Sequence, residues 1–498
     1  MPEVREFPPN TKHVHIMGIG GTAMAALAGL LVAKGYKVTG SDGSVVYPPM
    51  SDVLANLGIT VMVGYNRSNL IDTKPDLVIV GNVVRPTYDE AVYLLESTIP
   101  YMSFPALLGA EFLSATNNIV VAGTHGKTST TALGAWLLDC VGKKPGFLIG
   151  GAATNFSSTA RASEGLDGEK GFFIIEGDEY NTAFFDRSSP KFLHYRPHCA
   201  IITSVEYDHA DIYPDMQAYQ NAFRRLVASM PTDGCLVVRG DHTSVLECIT
   251  NPPCAVRRYG KNQEWDGRIE ELHTDRGTMT FSVLHKGQVV GRYESLMVGE
   301  HNLYNQVALV AVMDFYNIDL QLLEEGFRSF TGIKRRQQVL GAPKGVMVID
   351  DFAHHPTAIH LTLEGLKMRF GNRRLWAIFE PRSATSKRKT YQKEFAASFG
   401  FADVIVVAPP FNQDNIPVDE RLQVHQLISD IRGHGKEAYC FGEKPNDMET
   451  WTEYESADAI VQAVIANVQH EDIIAVLSNG GFGGIHKKIL TALENWNE

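Results

Sequence analysis

Apolar, β-branched runs alternate with helix-forming stretches in three successive series along this chain of 498 residues. The first series contains "HVHIMGIGG", "AMAALAGLLVAKG" and "YKVTGSD"; the second begins at "NIVVAGTHGKTST", and the third at "GVMVIDDFAHHPTAIHLTLEGL". Strand, helix and strand at this spacing predict parallel sheets covered by helices. The chain is too long for one core, so we predict an α/β protein of three domains.

The second series contains a segment with a different pattern. From Gly234 to about Met297, turn residues punctuate alternating apolar and polar positions, as in "GTMTFSVLHKGQVVGRYESLMV", which predicts antiparallel strands. We therefore predict Rossmann-like N-terminal and C-terminal domains around a central α/β domain of P-loop ATPase type with an antiparallel part. The predicted domains span residues 1–114, 115–333 and 334–498.

The acidic composition limits the classes of partner. The 57 acidic residues outnumber the 45 lysines and arginines and give a formal net charge of −12, which argues against nucleic-acid or membrane-surface binding. The six cysteines have no C-x-x-C spacing, and the sequence has neither a signal-peptide core nor a run approaching about 20 apolar residues. We expect a soluble, cytoplasmic protein without nucleic-acid or membrane partners.

The segment "GTHGKTST", at 123–130, follows a β-branched run and opens a helix-forming stretch. It keeps the second glycine, the lysine and the hydroxyl of G-x-x-x-x-G-K-[ST], but Val121 stands where the first glycine is expected. In such a loop, backbone N–H groups bind phosphate, Lys127 neutralises charge on the β- and γ-phosphates, and Thr128 can hold magnesium. A strand-to-helix turn with a solvated lysine is the alternative interpretation.

Acidic residues follow two strands that come after this loop. "FFIIEGDEY" ends a strand at Glu176, and "IITSVEYDHADIY" ends another before Glu206, Asp208 and His209. The carboxyl ends of neighbouring parallel strands meet at one edge of a sheet, and magnesium prefers oxygen ligands. Solvated acidic turns are the alternative for each segment alone. Their joint occurrence after the loop favours a magnesium–phosphate site.

The first turn of the chain is rich in glycine. "HIMGIGGTAMAAL" supplies Gly18, Gly20 and Gly21, and Asp42 ends the next strand. Glycines let backbone N–H groups approach a pyrophosphate at a helix N-terminus, and an acid at this position can hold a ribose. The motif alone leaves an NAD-dependent oxidoreductase open, although that function would leave the loop at 123–130 unexplained.

Three later segments carry polar residues suited to a nucleotide. "GEHNLYN" opens a helix with asparagines that could cap it or contact a base, "GIKRR" ends at the predicted hinge, and "DDFAHHPTAI" follows a strand. The adjacent histidines His354 and His355 lack the ligand spacing that accompanies a zinc site. Polar contacts at a strand-to-helix turn are therefore the simpler interpretation of this pair.

Together these motifs resemble the Mur ligase family, the ATP-dependent amide-forming enzymes of bacterial cell-wall precursor synthesis. The resemblance covers essentially the whole chain, in the family's order, and rests on "GIGGTAM", "GTHGKTST", "EGDE", "EYDHADIY", "GEHNLYN", "RR" and "DDFAHHPTAI". It implies three domains, ATP and Mg²⁺ as cofactors, and an acyl phosphate that an amine displaces. "GTHGKTST" looks like the family's own form of the phosphate loop, which accounts for Val121.

The resemblance also implies roles for individual residues. The catalytic residues would be Lys127, Glu176, His209 and Arg336. The metal ligands would be Thr128, Glu176 and His209. The ATP site would comprise Gly123, Thr124, His125, Gly126, Lys127, Thr128, Ser129, His301, Asn302, Asn305, Arg336, Asp351 and His354. The uridine-diphosphate end of the substrate would contact Gly18, Gly20, Gly21, Ser41, Asp42 and Asn82.

Within the family, "YPPMSDVL", "EYNTAFFDRSSPKFLHY", "EPRSAT" and "LSNGGFGGIHKKIL" resemble the branch that joins L-Ala-γ-D-Glu-meso-diaminopimelate to UDP-N-acetylmuramate in peptidoglycan recycling. The branch that adds free L-alanine, and an ATPase without ligase chemistry, are the alternatives. Arginine can pair with a peptide carboxylate, and glycines admit an extended ligand. The peptide site would comprise Arg382, Ser383, Ser478, Asn479, Gly480 and Gly481. We expect a monomer or a weak homo-oligomer.

Overall fold

The computed structural model contains three β-sheets that pack against α-helices, and one separate two-stranded hairpin. It describes residues 6–47, 50–165, 170–414, 416–440 and 453–496. Pro48 and Pro49 of "YPPMSDVL" lie outside the described residues. Within the described ranges, every helix is too short or too polar to cross a membrane. The predicted α/β class is confirmed, with a parallel first sheet, a mixed central sheet and a mostly parallel third sheet.

The first sheet is parallel throughout and has the strand order β3-β2-β1-β4-β5. Its central strands β1 and β4 are fully buried, because helices cover both faces. The strands are β1 His13–Met17, β2 Lys37–Asp42, β3 Val61–Val63, β4 Leu77–Val80 and β5 Tyr101–Ser103. The helices are α1 Thr22–Ala33, α2 Met50–Asn56, α3 Ser68–Thr73, α4 Asp89–Glu96 and α5 Phe104–Glu111.

The central sheet has ten strands in the order β17-β16-β15-β14-β13-β12-β6-β9-β7-β8. Its strands are β6 Thr116–Ala122, β7 Gly146–Leu148, β8 Ala160–Arg161, β9 Gly171–Gly177, β12 Cys199–Ile202, β13 Cys235–Arg239, β14 Ala255–Tyr259, β15 Trp265–His273, β16 Thr278–His285 and β17 Gln288–Ser295; β10 Asn181–Ala183 and β11 Asp186–Pro190 form the separate hairpin. The helices are α6 Lys127–Cys140, α7 Met216–Ala228, α8 Thr243–Leu246, α9 Glu300–Phe315 and α10 Glu324–Ser329. Strand β6 lies between β9 and β12, which brings the segments after these three strands together.

The antiparallel part of this sheet starts later than the sequence predicts. Strands β13 and β14 are parallel to β12, and antiparallel pairing begins only between β15 and β16. The prediction of antiparallel strands from Gly234 was therefore wrong for the first two strands. The crossover from β13 to β14 contains only the four-residue helix α8, so the sequence pattern of a covering helix is missing there.

The third sheet has the order β18-β19-β23-β20-β21-β22, and all its pairs are parallel except β18 with β19. The carboxyl ends of β19, β23 and β20 are adjacent, so the segments after them share one edge. The strands are β18 Gln338–Gly341, β19 Met347–Asp351, β20 Leu375–Phe379, β21 Val404–Val407, β22 Glu437–Tyr439 and β23 Ile473–Leu477. The helices are α11 Pro356–Phe370, α12 Gln392–Ser398, α13 Val424–Gly433, α14 Glu453–Asn467 and α15 Ile485–Glu494.

Candidate active site

The loop between β6 and α6 has the backbone of a phosphate-binding turn. Gly126 precedes the helix with φ 79°, and a Cβ on it would lie 2.9 Å from Asn305 Oδ1. The segment after the neighbouring strand β12 supports the loop, because the N–H of His125 donates to Ser204 Oγ at 3.0 Å. Gly126 is therefore required both for its positive φ and for the close approach of α9.

We expect Gly126→Ala to destabilise the protein by about 1–3 kcal/mol, because alanine is strained at positive φ and its methyl group meets Asn305. The same change should weaken ATP binding, which calorimetric titration measures beside thermal denaturation. Gly433→Ala is the matched control, since it lies in α13 with no atom within 4 Å of the added methyl group. Equal stability of the two variants would contradict the strain argument.

Lys127 at the start of α6 belongs to a buried ionic network. Its Nζ donates to the carbonyl of Gly123 at 2.6 Å and to Glu179 Oε2 at 3.2 Å. His209 Nε2 lies 2.9 Å from Glu179 Oε1, and Tyr219 donates to the same carboxylate. Burial alone would raise the pKa of Glu179, but Lys127 and His209 outweigh it and lower the pKa to about 2. Glu179 is thus an anion that holds the lysine and the histidine.

Thr128 and Glu176 form the oxygen-rich part of the site. The Thr128 hydroxyl donates to Glu176 Oε2 at 3.0 Å, and the N–H of Gly150 donates to Glu176 Oε1 at 2.5 Å. Burial and the neighbouring Asp178 raise the pKa of Glu176 to about 6. A hydroxyl and a carboxylate in contact at the end of a phosphate loop suit Mg²⁺. His209, the third predicted metal ligand, contacts Glu179 in this arrangement rather than Glu176.

A cavity of about 360 Å³ opens beside the loop, between the central and C-terminal domains. Burial lowers the pKa of His301 to about 4, so this histidine is a neutral hydrogen-bonding group near neutral pH. Asp351 is also buried and accepts hydrogen bonds from the N–H groups of Gln337 and Ala353. The predicted ATP-site residues that line the cavity are His125, Gly126, Thr128, Ser129, His301, Asn302, Asn305, Arg336 and Asp351.

Four other predicted ATP-site residues lie next to this cavity without being part of its lining. Thr124 donates to the carbonyl of Glu206 at 2.9 Å, and Gly123 packs against Thr203. The Lys127 ammonium donates to the Glu179 carboxylate, and His354 Nδ1 lies 2.9 Å from the carbonyl of Phe352. In the described structure these residues support the loop and the strand end, and their predicted contact with ATP stays a prediction.

The predicted uridine-diphosphate residues meet at one edge of the first sheet, because β2, β1 and β4 are neighbours. The N–H of Gly18, with φ 83°, donates to the carbonyl of Ser41 at 2.8 Å. The N–H of Gly20 donates to Asp42 Oδ2 at 2.9 Å. Asn82 follows β4 at the same edge and is exposed. The structure thus brings these residues together, and the Asp42 carboxylate accepts a hydrogen bond from the glycine turn.

The predicted peptide residues meet where β20 and β23 end. The guanidinium carbon of Arg382 lies 3.7 Å from the centroid of the Phe411 ring, and Nη1 lies 3.4 Å from Glu380 Oε1. Ser478 donates to the other oxygen of Glu380, and a side chain on Gly480 would overlap Arg382. Ser383, Asn479 and Gly481 lie in the same two loops. The arginine is therefore held in one orientation by a carboxylate and an aromatic ring.

Sequence reasoning missed two residues of the site. Glu179 is fully buried and contacts both Lys127 and His209, although it was not among the predicted site residues. Gln337 lines the cavity and binds Asp351 through its N–H. The adjacent acids in "EGDEY" were the available sequence signal for Glu179. The structure adds that this side chain is fully buried, and a buried carboxylate requires a partner. Gln337 has no such signal, because its role comes from its backbone.

A phosphate loop beside an acidic strand end, with a cavity closed by a further α/β domain, defines a nucleotide-dependent enzyme. Three family models match this chain: "Mur ligase family, catalytic domain" at residues 13–114, "Mur ligase middle domain" at 121–313, and "Mur ligase, glutamate ligase domain" at 335–480. The chain belongs to the Mur ligase family. The family predicted from the motifs is confirmed, and the oxidoreductase alternative is not supported.

Two relatives and one solved structure are similar over nearly the whole chain. The UDP-N-acetylmuramate–L-alanyl-γ-D-glutamyl-meso-2,6-diaminoheptandioate ligase of Haemophilus influenzae is 36% identical over 97% of this chain and 99% of its own length. The Escherichia coli protein of the same name is 37% identical over 96% and 98%. The crystal structure of a murein peptide ligase from Psychrobacter arcticus is 33% identical, covers 98% of this chain and 100% of its own, and has a TM-score of 0.67.

Proposed function

We propose that this protein is an ATP-dependent ligase that joins UDP-N-acetylmuramate to the tripeptide L-Ala-γ-D-Glu-meso-diaminopimelate. The observation that carries the proposal is the cavity between the central and C-terminal domains, whose wall includes the phosphate loop and Asp351. A nucleotide bound in this cavity would lie beside Thr128 and Glu176, and the β20–β23 edge would remain for an amine substrate. The names of the two relatives described above agree with this substrate pair.

In the first half of the reaction, a carboxylate oxygen of the muramyl group attacks the γ-phosphorus of ATP, and ADP leaves. The backbone N–H groups of the loop and Lys127 stabilise the charge on the transferred phosphoryl group. Thr128, Glu176 and His209 would hold Mg²⁺, which supplies charge neutralisation on the phosphate oxygens. Glu179 keeps Lys127 and His209 in place, so it is a positioning residue in this proposal.

In the second half, the amine nitrogen attacks the acyl carbon, phosphate leaves with the bonding electrons, and the amine loses a proton. The N-terminal domain would hold the uridine diphosphate at Gly18, Gly20 and Asp42. The C-terminal domain would hold the tripeptide, with Arg382 presented to a peptide carboxylate. Exact placement of the amine against the acyl carbon supplies much of the rate acceleration in such reactions.

The proposed function is tested by phosphate release from the purified protein with ATP, Mg²⁺ and UDP-N-acetylmuramate. We expect release to depend on an added amine and to be fastest with the tripeptide. Release that requires free L-alanine instead would assign the protein to the alanine-adding branch. Release that is independent of any amine would assign it to ATPases without ligase chemistry.

We expect Glu176→Gln and His209→Asn each to raise the Mg²⁺ concentration needed for half-maximal activity, by about 10- to 100-fold. Each change removes a proposed ligand or its charge while it keeps the approximate shape of the side chain. Titration of activity with Mg²⁺ at saturating ATP measures the effect. The matched control is Glu270→Gln, an exposed carboxylate on β15. Unchanged titrations in both site variants would remove these residues from the metal site.

The domain limits 1–114, 115–333 and 334–498, the cytoplasmic location, and the monomeric or weakly oligomeric state are further parts of this proposal. The three separate sheets support the division into domains. Limited proteolysis followed by mass spectrometry tests the limits, since cleavage should concentrate near residues 114 and 333. Analytical ultracentrifugation tests the oligomeric state.

A further inference from the structure

Three side chains from separate parts of the chain meet at the interface of the central and C-terminal domains; we name them the His–Glu–His cluster. His125 belongs to the phosphate loop, Glu206 follows β12, and His355 precedes α11. His125 Nε2 lies 3.3 Å from Glu206 Oε2, and His355 Nδ1 lies 3.7 Å from the same oxygen. One ligand atom from each residue lies within 4.8 Å of the others.

Two of these three separations are close to the ligand spacing around zinc. Bonds of about 2.0–2.1 Å in a tetrahedron place neighbouring ligand atoms about 3.4 Å apart. The two measured separations, 3.3 and 3.7 Å, lie on either side of that value. Two imidazoles and one carboxylate are also a ligand set that zinc uses when a fourth position stays open. Mg²⁺ is disfavoured here, because it prefers oxygen ligands.

The hydrogen bonds of the cluster indicate which of its atoms carry lone pairs. The N–H of Thr357 donates to His355 Nδ1 at 3.4 Å, so this nitrogen carries a lone pair and not a proton. Glu206 Oε2 accepts a hydrogen bond from the Thr357 hydroxyl at 2.5 Å and lies 3.3 Å from His125 Nε2. A cation bound here would replace the long contact between the Thr357 N–H and His355 Nδ1 and the contact between His125 Nε2 and Glu206.

His355 is the most buried member of the cluster. Its side chain is only 4% exposed, and its Nε2 has no hydrogen-bond partner among the described residues. Because Nδ1 accepts from Thr357, the proton of the neutral ring is on Nε2, and Nδ1 is the nitrogen that could bind a metal ion. A buried neutral imidazole beside a carboxylate and a second imidazole has the protonation state that a metal ligand requires.

We propose that His125, Glu206 and His355 form a binding site for Zn²⁺ or a similar transition-metal ion across the domain interface. The bound ion would cross-link the two domains, because Glu206 and His355 belong to different sheets. It would also restrain the phosphate loop through His125, which lines the nucleotide cavity. Bound Zn²⁺ therefore inhibits turnover. The inhibition part of the proposal rests on the proposed ligase function, whereas the metal-binding part does not.

Metal binding is tested directly with Co²⁺, whose visible absorption reports tetrahedral coordination, and with Zn²⁺ by calorimetric titration of the full-length protein in excess Mg²⁺. We expect one site with nitrogen and oxygen ligands. His355→Asn keeps a hydrogen-bond acceptor that can cap α11 and removes the imidazole. It should weaken Zn²⁺ binding by at least about tenfold and abolish the Co²⁺ spectrum.

Glu206→Gln is the second variant, because its amide oxygen can still accept from Thr357 while its charge is lost. It should weaken Zn²⁺ binding in the same way. His360→Asn, an exposed position on the same helix, and His209→Asn, in the proposed magnesium site, should leave the Co²⁺ spectrum unchanged. Loss of the spectrum in His209→Asn alone, or a sulfur-to-cobalt charge-transfer band, would overturn the site. So would equal Zn²⁺ affinity of wild type and His355→Asn.

Inhibition is then measured separately, with each protein compared to its own activity in Mg²⁺ and ATP. Zn²⁺ should inhibit the wild-type protein at concentrations that match its binding, and His355→Asn should shift that concentration upward by the same factor as binding. Binding of Zn²⁺ without inhibition of an active protein would contradict the cross-linking part. A protein without ligase activity that still binds Zn²⁺ at these residues would contradict the proposed function and leave the metal site supported.

Discussion

Replacing Lys127 with alanine is expected to reduce ligase turnover by about 10²- to 10³-fold, because a charge that stabilises the transferred phosphoryl group is lost. The ammonium lies next to Gly123 of the phosphate loop and pairs with the fully buried carboxylate of Glu179. Phosphate release with all three substrates measures the effect. The kcat should fall more than the affinity for ATP, since the interaction strengthens as phosphate is transferred.

The control for this variant addresses the buried charge that it leaves behind. Lys127→Ala deprives Glu179 of a partner, so the double variant Lys127→Ala/Glu179→Gln separates loss of catalysis from loss of stability. Lys261→Ala, an exposed lysine of the central domain, is the matched surface control and should retain full activity. Wild-type turnover in a folded Lys127→Ala protein would remove the loop lysine from the mechanism.

Replacing Arg382 with alanine is expected to lower kcat/KM for the tripeptide by about 30-fold or more, because a charge-assisted hydrogen bond to a carboxylate contributes about 2 kcal/mol. The guanidinium is oriented by Phe411 and Glu380, so it is ready to pair with a carboxylate. The KM for ATP should change little, since the nucleotide cavity is lined by other residues. Initial rates with each substrate varied in turn measure both constants.

The same kinetics decide which amine is used. In the wild-type protein we expect the tripeptide to have a much higher kcat/KM than L-alanine, because a site on two adjacent strand ends offers several polar contacts along an extended ligand. Arg432→Ala, an exposed arginine on α13, is the matched control. Competition between both amines with the wild-type protein gives the ratio directly. A clear preference for L-alanine would move the protein to the alanine-adding branch.

Much of the fold and of the phosphate site could be predicted from the sequence, because these features depend on local order. A β-branched run followed by a glycine turn and a helix specifies where β6 ends and α6 begins. Parallel sheets bring strand ends together, so Thr128 and Glu176 could be predicted as neighbours from two separate segments. The strands β13 and β14 could not be assigned, because local alternation does not reveal which strand a segment pairs with.

The sequence by itself determined the family, the three α/β units and the chemical identity of the groups at the phosphate loop. Only the tertiary structure decided that Glu179 holds Lys127 and His209, and that His125, Glu206 and His355 meet at one point. The physical reason is that local patterns depend on backbone geometry over a few residues. Distances between side chains far apart in the chain depend on how whole sheets and domains pack, and the pKa values follow from the burial which that packing produces.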